Sequence, residues 1–324
     1  MQNSPFHGPT REIGVLLFDR FSNLCLANAV EPLRAANTLS GRGLYRWQFL
    51  SIDGAGVVSS SGLPVQPDAP LSRHPGGDYL FVMPSYGFRR HSTAPTLRAL
   101  RAAARRFRVV VGMDTGAWLL AAAGLLLGRR ATIHWDEITP FAERFSDVDV
   151  RPDRYVIDGD RITCGGVTTT FDLILDLIEA QHGAMLRLDV ASLFLHSDRP
   201  LARRADQGQG RHAPYAPVVD AALSVMRRTV ETPLPVAAVA QATGVSQRAL
   251  EAAFRRAFAL TPQAVYRGLR LREARRLAEG TPMSVAEIAA RCGYADPSAL
   301  TRAFRAEFGA SPRDLRRAAG AGTG

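Results

Sequence analysis

The last third of the chain is built from a unit that occurs twice. Leu250, Phe254, Phe258 and Pro262 return as Leu300, Phe304, Phe308 and Pro312, each 50 positions on, whereas Ala240 and Gly244 return as Ala289 and Gly293, 49 positions on. The change of offset places one inserted residue in the turn of the second copy. Each copy must therefore be a small supersecondary unit that the chain folds in the same way twice.

The logic inside each copy is that of two helices joined by a tight turn. VAAVAQATG and VAEIAARCG carry apolar residues at helical spacing, a small Ala that lets a second helix approach, and a Gly suited to a turn needing positive φ. The segments that follow, SQRALEAAFRRAF and DPSALTRAFRAEF, open with good N-caps, Ser246 and Asp296, and Pro297 takes the first helical position of the second. Leu250, Phe254 and Phe258 are expected to form a buried stripe at i, i+4, i+8, and Leu300, Phe304 and Phe308 to do the same.

Those stripes leave Gln247, Arg248, Glu251 and Arg255 outward on one second helix, and Ser298, Ala299, Arg302 and Arg305 on the other. Such side chains can reach base edges or phosphates. Taken singly, the pattern also suits the solvated face of an ordinary helical bundle. The segment between the copies, PQAVYRGLRLREARRLA from Pro262 to Ala278, reads as strongly amphipathic and spans roughly 25 Å as a helix. A spacer of that kind can hold two recognition helices about one DNA turn apart, ~34 Å, which favours DNA.

Charge points the same way. The chain carries 40 basic residues, all Arg, against 30 acidic ones, a formal net charge of +10. Residues 213–324 hold 16 Arg against 9 acids, net +7, so the excess is concentrated where the repeat lies and suggests a polyanion there. The segment from about Val218 to Arg317 resembles the DNA-binding domain of AraC/XylS-type transcription regulators. The second copy, MSVAEIAARCGYADPSALTRAFRAEFGASPRDLRR, follows that family's pattern almost throughout, with Leu300 where the family commonly has an aromatic. The resemblance implies two helix-turn-helix units reading adjacent segments of the major groove.

Upstream, residues 11–195 alternate short apolar runs with helical stretches: REIGVLLF, LCLANAVEPLRAANTL, YRWQFLSID, DYLFVM, TLRALRAAARRF and RVVVGM. That alternation predicts an α/β domain, a flavodoxin-like parallel sheet with helices on both faces, followed by an all-α domain with two helix-turn-helix units. The expected division is 10–196 for the α/β domain, 197–217 for a Gly-, Pro- and Gln-rich linker, and 218–318 for the helical domain. Ligands of such sheets sit outside the carboxyl ends of the strands, here the loops after Phe18, Met83 and Met113.

The order of FDRFSNLCLANAVEPLRAAN, MPSYG, GMDTGAWLLAAAGLLLGRRATIHW and CGGVTTTFDLILDLIE resembles the PfpI-type domain of the class I glutamine amidotransferase-like superfamily. Joined to an AraC-type domain, it is similar to the GlxA-type regulators, and the two resemblances cover nearly the whole chain. Enzymes of that superfamily carry a cysteine at the elbow between strand and helix, assisted by a histidine, and a thiolate there attacks a carbonyl. In this chain the matching position is Asp114; His134 matches the histidine and Glu31 an acidic position near the cysteine. A carboxylate at a helix N-terminus is expected to be held as the anion and is a poor nucleophile toward amides, so catalysis is not expected.

What is expected instead is a pocket with altered chemistry. Asp114, Glu31, Thr115, Trp118, Tyr86 and His134 are the candidate ligand contacts, with Trp47 and Trp135 as further aromatics in or near the loops. Carboxylates with aromatic faces hold quaternary ammonium and guanidinium groups. Regulators with similar AVEPLRAAN and GMDTGA segments include sensors of glycine betaine, carnitine and arginine, and the resemblance implies an effector of that kind. Other roles stay open at this point: Asp114 as a cap of a helix beginning at Thr115, His134 as a hydrogen-bonded structural residue, the tryptophans as core, and Thr168, Thr169 and Thr170 as caps of a helix starting near Phe171.

The remaining features narrow the setting. No apolar run reaches eighteen residues and MQNSPFHGPTRE lacks the pattern of a secretion signal, so a cytoplasmic protein with no membrane partner is expected. Cys25, Cys164 and Cys292 form no CxxC pairing, and neither a disulfide framework, a metal site nor a cofactor is expected. The expectation is therefore a homodimeric transcription regulator, an activator, that binds promoter DNA and senses a small cationic or zwitterionic metabolite. The alternatives are an amidase or glyoxalase-like hydrolase fused to a DNA-binding domain, and a constitutive architectural DNA binder.

Overall fold

In the computed structural model the chain is described over residues 9–194 and 217–321. These residues divide into two compact units, one carrying a sheet and the other purely helical. Positions 195–216, which hold nearly all of the expected linker, lie outside the described residues; Pro217 already belongs to a helix.

The first unit opens with β1 (Arg11–Leu17), α1 (Asn23–Ser40) and β2 (Tyr45–Ser51), followed by a short hairpin of β3 (Val57–Val58) and β4 (Pro64–Val65). It continues through β5 (Ala69–Pro70), β6 (Gly77–Met83), α2 (Ala94–Ala104), β7 (Phe107–Met113) and α3 (Gly116–Ala122). Then come β8 (Arg130–Ala131), α4 (Ile138–Arg144), β9 (Asp149–Val150), β10 (Tyr155–Asp158), β11 (Arg161–Cys164), α5 (Val167–His182) and α6 (Ala184–Phe194).

Seven strands form the central sheet in the order β10-β11-β7-β6-β1-β2-β5, parallel except for β10, which pairs antiparallel with β11. Leu16, Leu80, Val82 and Val110 turn to a core shared with Leu100 and Ala103 of α2 and Leu119 and Leu120 of α3. By the two-residue period their neighbours Val15, Leu17, Phe81, Met83 and Val111 face the other side, and all are buried. The chain reverses its direction of winding between β1 and β6, so the carboxyl ends of β1, β6 and β7 border the crevice where such sheets bind ligands.

The helical unit consists of α7 (Pro217–Arg228), α8 (Val236–Ala242), α9 (Gln247–Phe258), α10 (Pro262–Gly280), α11 (Val285–Arg291), α12 (Pro297–Phe308) and α13 (Pro312–Ala321). The repeat is thus three helices long, α8 to α10 and α11 to α13, and the inserted residue falls between α11 and α12 as expected. Gly244 and Gly293 turn the chain at φ +71° and +67°. Ser246 and Asp296 accept from the backbone N–H of Ala249 and Ala299, and Ser284 closes a full capping box with Glu287.

Two expectations need correcting here. Phe254 and Phe258 are buried with Leu250, but of the second stripe only Leu300 and Phe304 are; Phe308 is half-buried beneath the Arg275 guanidinium. Nor does α10 have one apolar face. Val265, Tyr266 and Leu269 are buried in its first half and Leu271, Ala274, Leu277 and Ala278 in its second. At 100° per residue the second group sits about 150° round from the first. The latter group joins Ile288, Leu300 and Phe304 in one core, so the helix spends its two halves on two different partners.

Candidate functional site

In each copy the outer face of the second helix lies in solvent. Gln247, Arg248 and Arg255 are exposed on α9, and Ser298, Arg302 and Arg305 on α12. Glu251 is half-buried and accepts from Gln247 Nε2 at 2.9 Å, one helical turn away, and Ala299 is half-buried as well. Both helices therefore offer their N-terminal half and an arginine stripe, the parts that enter a major groove in helix-turn-helix proteins. Arg256, Arg267, Arg313 and Arg317 are also exposed and were not singled out from sequence; only their charge could have pointed to them.

Not all of the positive charge is available to DNA. Arg270 donates to the carbonyls of Cys292 and Gly293, and Arg316 to those of Ala278 and Met283. Arg275 pairs with Glu279 and Arg276 with Glu273. Exposed arginines lie on both second helices, at Arg248, Arg255 and Arg256 on α9 and Arg302 and Arg305 on α12, and also on α7 and α11, at Arg227, Arg228 and Arg291.

In the sheet unit, the stretch VVVGMDTGA is built for close approach. A Cβ on Gly112 would meet the backbone N of Ala117 at 2.8 Å, and one on Gly116 would meet the carbonyl O of Val82 at 2.3 Å. Strand and helix can be this near only because both positions lack a side chain, and the residue between them is driven into the left-handed region: Asp114 has φ +58°. This is the strained strand-turn-helix elbow that presents a nucleophile in hydrolases.

Asp114 is buried, with 4% exposure. Ser85 Oγ donates to its Oδ2 at 2.8 Å, Thr115 Oγ1 donates to the Ser85 carbonyl at 3.1 Å, and the His134 N–H donates to the Asp114 carbonyl at 3.1 Å. The loop after β6 and the segment after β8 are thereby both fastened to the elbow. Burial raises the Asp114 carboxyl above the ordinary carboxylate range, against the opposing pull of the Ser85 hydroxyl and His134. The capping role is corrected: α3 begins at Gly116 with Thr115 in the cap position and no side-chain cap bond, and the Asp114 carboxylate accepts from Ser85 instead.

His134 is half-buried and caps a 3-10 turn, Trp135–Glu137, by accepting from the Asp136 N–H at 3.4 Å. Tyr86 follows Ser85 and is 60% exposed, while Trp135 is 75% exposed. Trp118 is a core residue, its ring edge-on to Phe88 and Phe145 with the Arg89 guanidinium over its face. Glu31 is joined to the elbow by none of the described contacts. It stands more than two turns into α1, in an exposed ion pair with Arg34, and Trp47 lies half-buried within β2.

Sequence reading missed the elbow's underlayer. Thr170 Oγ1 lies 3.4 Å from both Cys25 Sγ and Cys164 Sγ, joining residues 145 and 6 positions away. Burial pushes the Cys164 thiol up to about 11 and the Cys25 thiol well above its ordinary value, so both are neutral near pH 7. The threonines are not caps, because α5 starts at Val167, four residues earlier than expected; Thr169 and Thr170 donate instead to the Gly166 carbonyl.

Comparison with known proteins agrees with both halves. Residues 11–180 match the DJ-1/PfpI family and residues 239–318 a helix-turn-helix domain. The chain is 39% identical over 312 residues to the HTH-type transcriptional regulator CdhR of Pseudomonas aeruginosa, covering 95% of this chain and 92% of that one. It is 35% identical over 316 residues to the HTH-type transcriptional regulator GlxA of Rhizobium meliloti, with 96% and 97% covered. The crystal structure of an AraC family transcriptional regulator from Pseudomonas putida superposes with a TM-score of 0.51 at 27% identity, over 57% of this chain and all of that one.

Proposed function

The chain belongs to the AraC-type, DNA-binding transcription regulators that carry a DJ-1/PfpI domain, and from that premise we propose that its sheet unit is a non-hydrolytic sensor of a small cationic or zwitterionic metabolite, such as a betaine, carnitine or arginine. The observation that carries this reading is Asp114 at the elbow. A strained backbone has been kept there although the residue on it is a carboxylate held by Ser85 rather than a thiol. The fold maintains a geometry costing on the order of 1–3 kcal/mol at a position that offers negative charge and hydrogen bonding. Against the amidase or glyoxalase-like alternative stands the burial of Cys25 and Cys164, which raises both thiols above their ordinary range and disfavours the thiolate.

The regulator works as a homodimer and an activator in this reading. The effector binds one conformational state of the sheet unit more tightly than another and so shifts the population competent for paired-site binding. Purified protein tests it: promoter DNA binding in a gel shift should respond to a cationic metabolite in the wild type and lose that response in Asp114→Asn, with the fold retained. Turnover of amides or α-ketoaldehydes by the wild type, lost in His134→Ala, would replace this reading by the hydrolytic one.

A further inference from the structure

Arg89 lies in the 3-10 turn Phe88–His91 that follows β6. Its guanidinium carbon stands 4.6 Å from the ring centroid of Trp118 and 4.9 Å from that of Phe88. The two rings meet edge-on, with centroids 5.3 Å apart and planes at 66°, and the same guanidinium is paired with the carboxylate of Glu137. Two aromatic rings and one carboxylate around a single cation make up the chemistry by which proteins hold guanidinium and quaternary ammonium groups. We propose that Phe88, Trp118 and Glu137 form a binding site for such a group on a small molecule, and that Arg89 occupies it as a tethered, displaceable cation; this rests on the sensor reading above.

The walls of this site are fixed and its occupant is accessible. Phe88 and Trp118 are 6% and 9% exposed, and Trp118 packs against both Phe141 and Phe145, whereas the Arg89 side chain is 52% exposed. Nothing but the Glu137 pair and the ring faces is seen to hold its guanidinium among the described contacts. A soluble cation can therefore take its place without opening the core.

The position of the pair gives the exchange a consequence. Arg89 belongs to the loop that Ser85 fastens to Asp114, and Glu137 to the segment that His134 fastens to the same residue. The Arg89–Glu137 ion pair is thus a strap across two loops that bracket the elbow. A small molecule that replaces Arg89 on Glu137 removes the strap and puts an untethered cation in its place. Exposed Tyr86 and Trp135 stand on those loops, beside Ser85 and His134, where their surroundings change with the exchange.

A self-occupied site binds its ligand with an affinity reduced by the fraction of time the tethered cation is in place, so removing that cation must tighten binding. The test uses full-length protein in calorimetric and tryptophan-fluorescence titrations with L-arginine and glycine betaine as probes. Tert-butylacetate, which has the shape of betaine without its positive charge, is the control. Arg89→Ala should bind at least one cationic probe about tenfold tighter than the wild type, or bind it where the wild type shows no binding. Glu137→Gln should bind it about tenfold weaker than the wild type, and the control should not bind. Both side chains reach solvent, and circular dichroism with Arg89→Lys, which keeps the charge and should stay near wild-type affinity, separates displacement from damage. Equal affinity of wild type and Arg89→Ala for a cation that does bind, or equal binding of the control that lacks the cationic group, overturns the cage and leaves the sensor reading standing. Absence of cation binding in every variant removes both.

Discussion

Arg270 Nε, on α10, donates to the carbonyl of Cys292 at 2.8 Å, across the boundary between the two copies of the repeat. Its second bond goes to the Gly293 carbonyl and its guanidinium carbon lies 4.4 Å from the Tyr294 ring centroid. One side chain of the first copy thus holds the turn on which the second copy's recognition helix depends. The carbonyls it satisfies are those left over at the C-terminal end of α11.

Replacing Arg270 by Ala should therefore destabilise the helical unit by about 1–3 kcal/mol and weaken DNA binding with it. Lys should rescue only partly, since it cannot donate in a planar fork while stacking on Tyr294. Thermal denaturation of the variants checks both statements. An unchanged midpoint for Arg270→Ala would mean that solvent replaces the clasp at no cost.

Arg248→Ala and Arg302→Ala should behave in the opposite way. Both side chains are exposed, so stability should change by less than about 0.5 kcal/mol, while promoter affinity drops by about 1–3 kcal/mol per residue. Gel shifts at several salt concentrations would assign the role of each: a shallower salt slope marks a phosphate contact and a changed base preference marks a base contact.

The two copies differ at the C-terminal caps of their second helices. Ala259 closes α9 at φ +54°, whereas Gly309 closes α12 at φ +74°. A side chain in the left-handed region is disfavoured, so Ala259→Gly should stabilise the helical unit by about 0.5–1 kcal/mol and Gly309→Ala should destabilise it by a similar amount. Denaturant titration of both variants measures the two signs, and a destabilised Ala259→Gly would refute the argument.

Asp114 sets a pH dependence. Its carboxyl is raised above the unfolded value by burial, so the folded state holds more protons than the unfolded one between the two values. Stability contributed by this group is then present below the unfolded pKa and is lost as pH rises through the folded one. Asp114→Asn, which tolerates the left-handed backbone and still accepts from Ser85, should be more stable than the wild type at neutral pH, and this advantage should vanish in acid. Melting curves across pH give the comparison; an Asn variant less stable at neutral pH would mean that the charged form is favoured by the fold.

The parts of this molecule that were legible in the sequence are those fixed by local periodicity. The six apolar and helical stretches from Arg11 to Met113, the caps Ser246 and Asp296, and the turns at Gly244 and Gly293 are each dictated within a few residues. The family patterns then supplied the elbow and the second helices. What could not be read depends on approach from afar. Ser85 reaches Asp114 over 29 positions, Arg89 reaches Glu137 over 48, and Thr170 reaches Cys25 over 145. Glu31 looked acidic in the right motif, but its described partner is Arg34, one turn along its own helix. For α10, a single-period reading averages over two faces that serve different partners, and the summed pattern hides the switch.

The change of buried face along α10 bears on what the regulator tolerates in its target. A helix gripped on one side by the first copy and on the other by the second cannot slide or roll between them, so the angular phase of α9 and α12 is fixed by side-chain packing. An operator with one extra base pair between its two half-sites displaces the second by roughly 3.4 Å and turns it by about a tenth of a revolution. Packed in this way α10 resists following it, and the correction comes from the duplex, at a bending or twisting cost set by the base steps in between. Discrimination then extends to base pairs that no side chain touches.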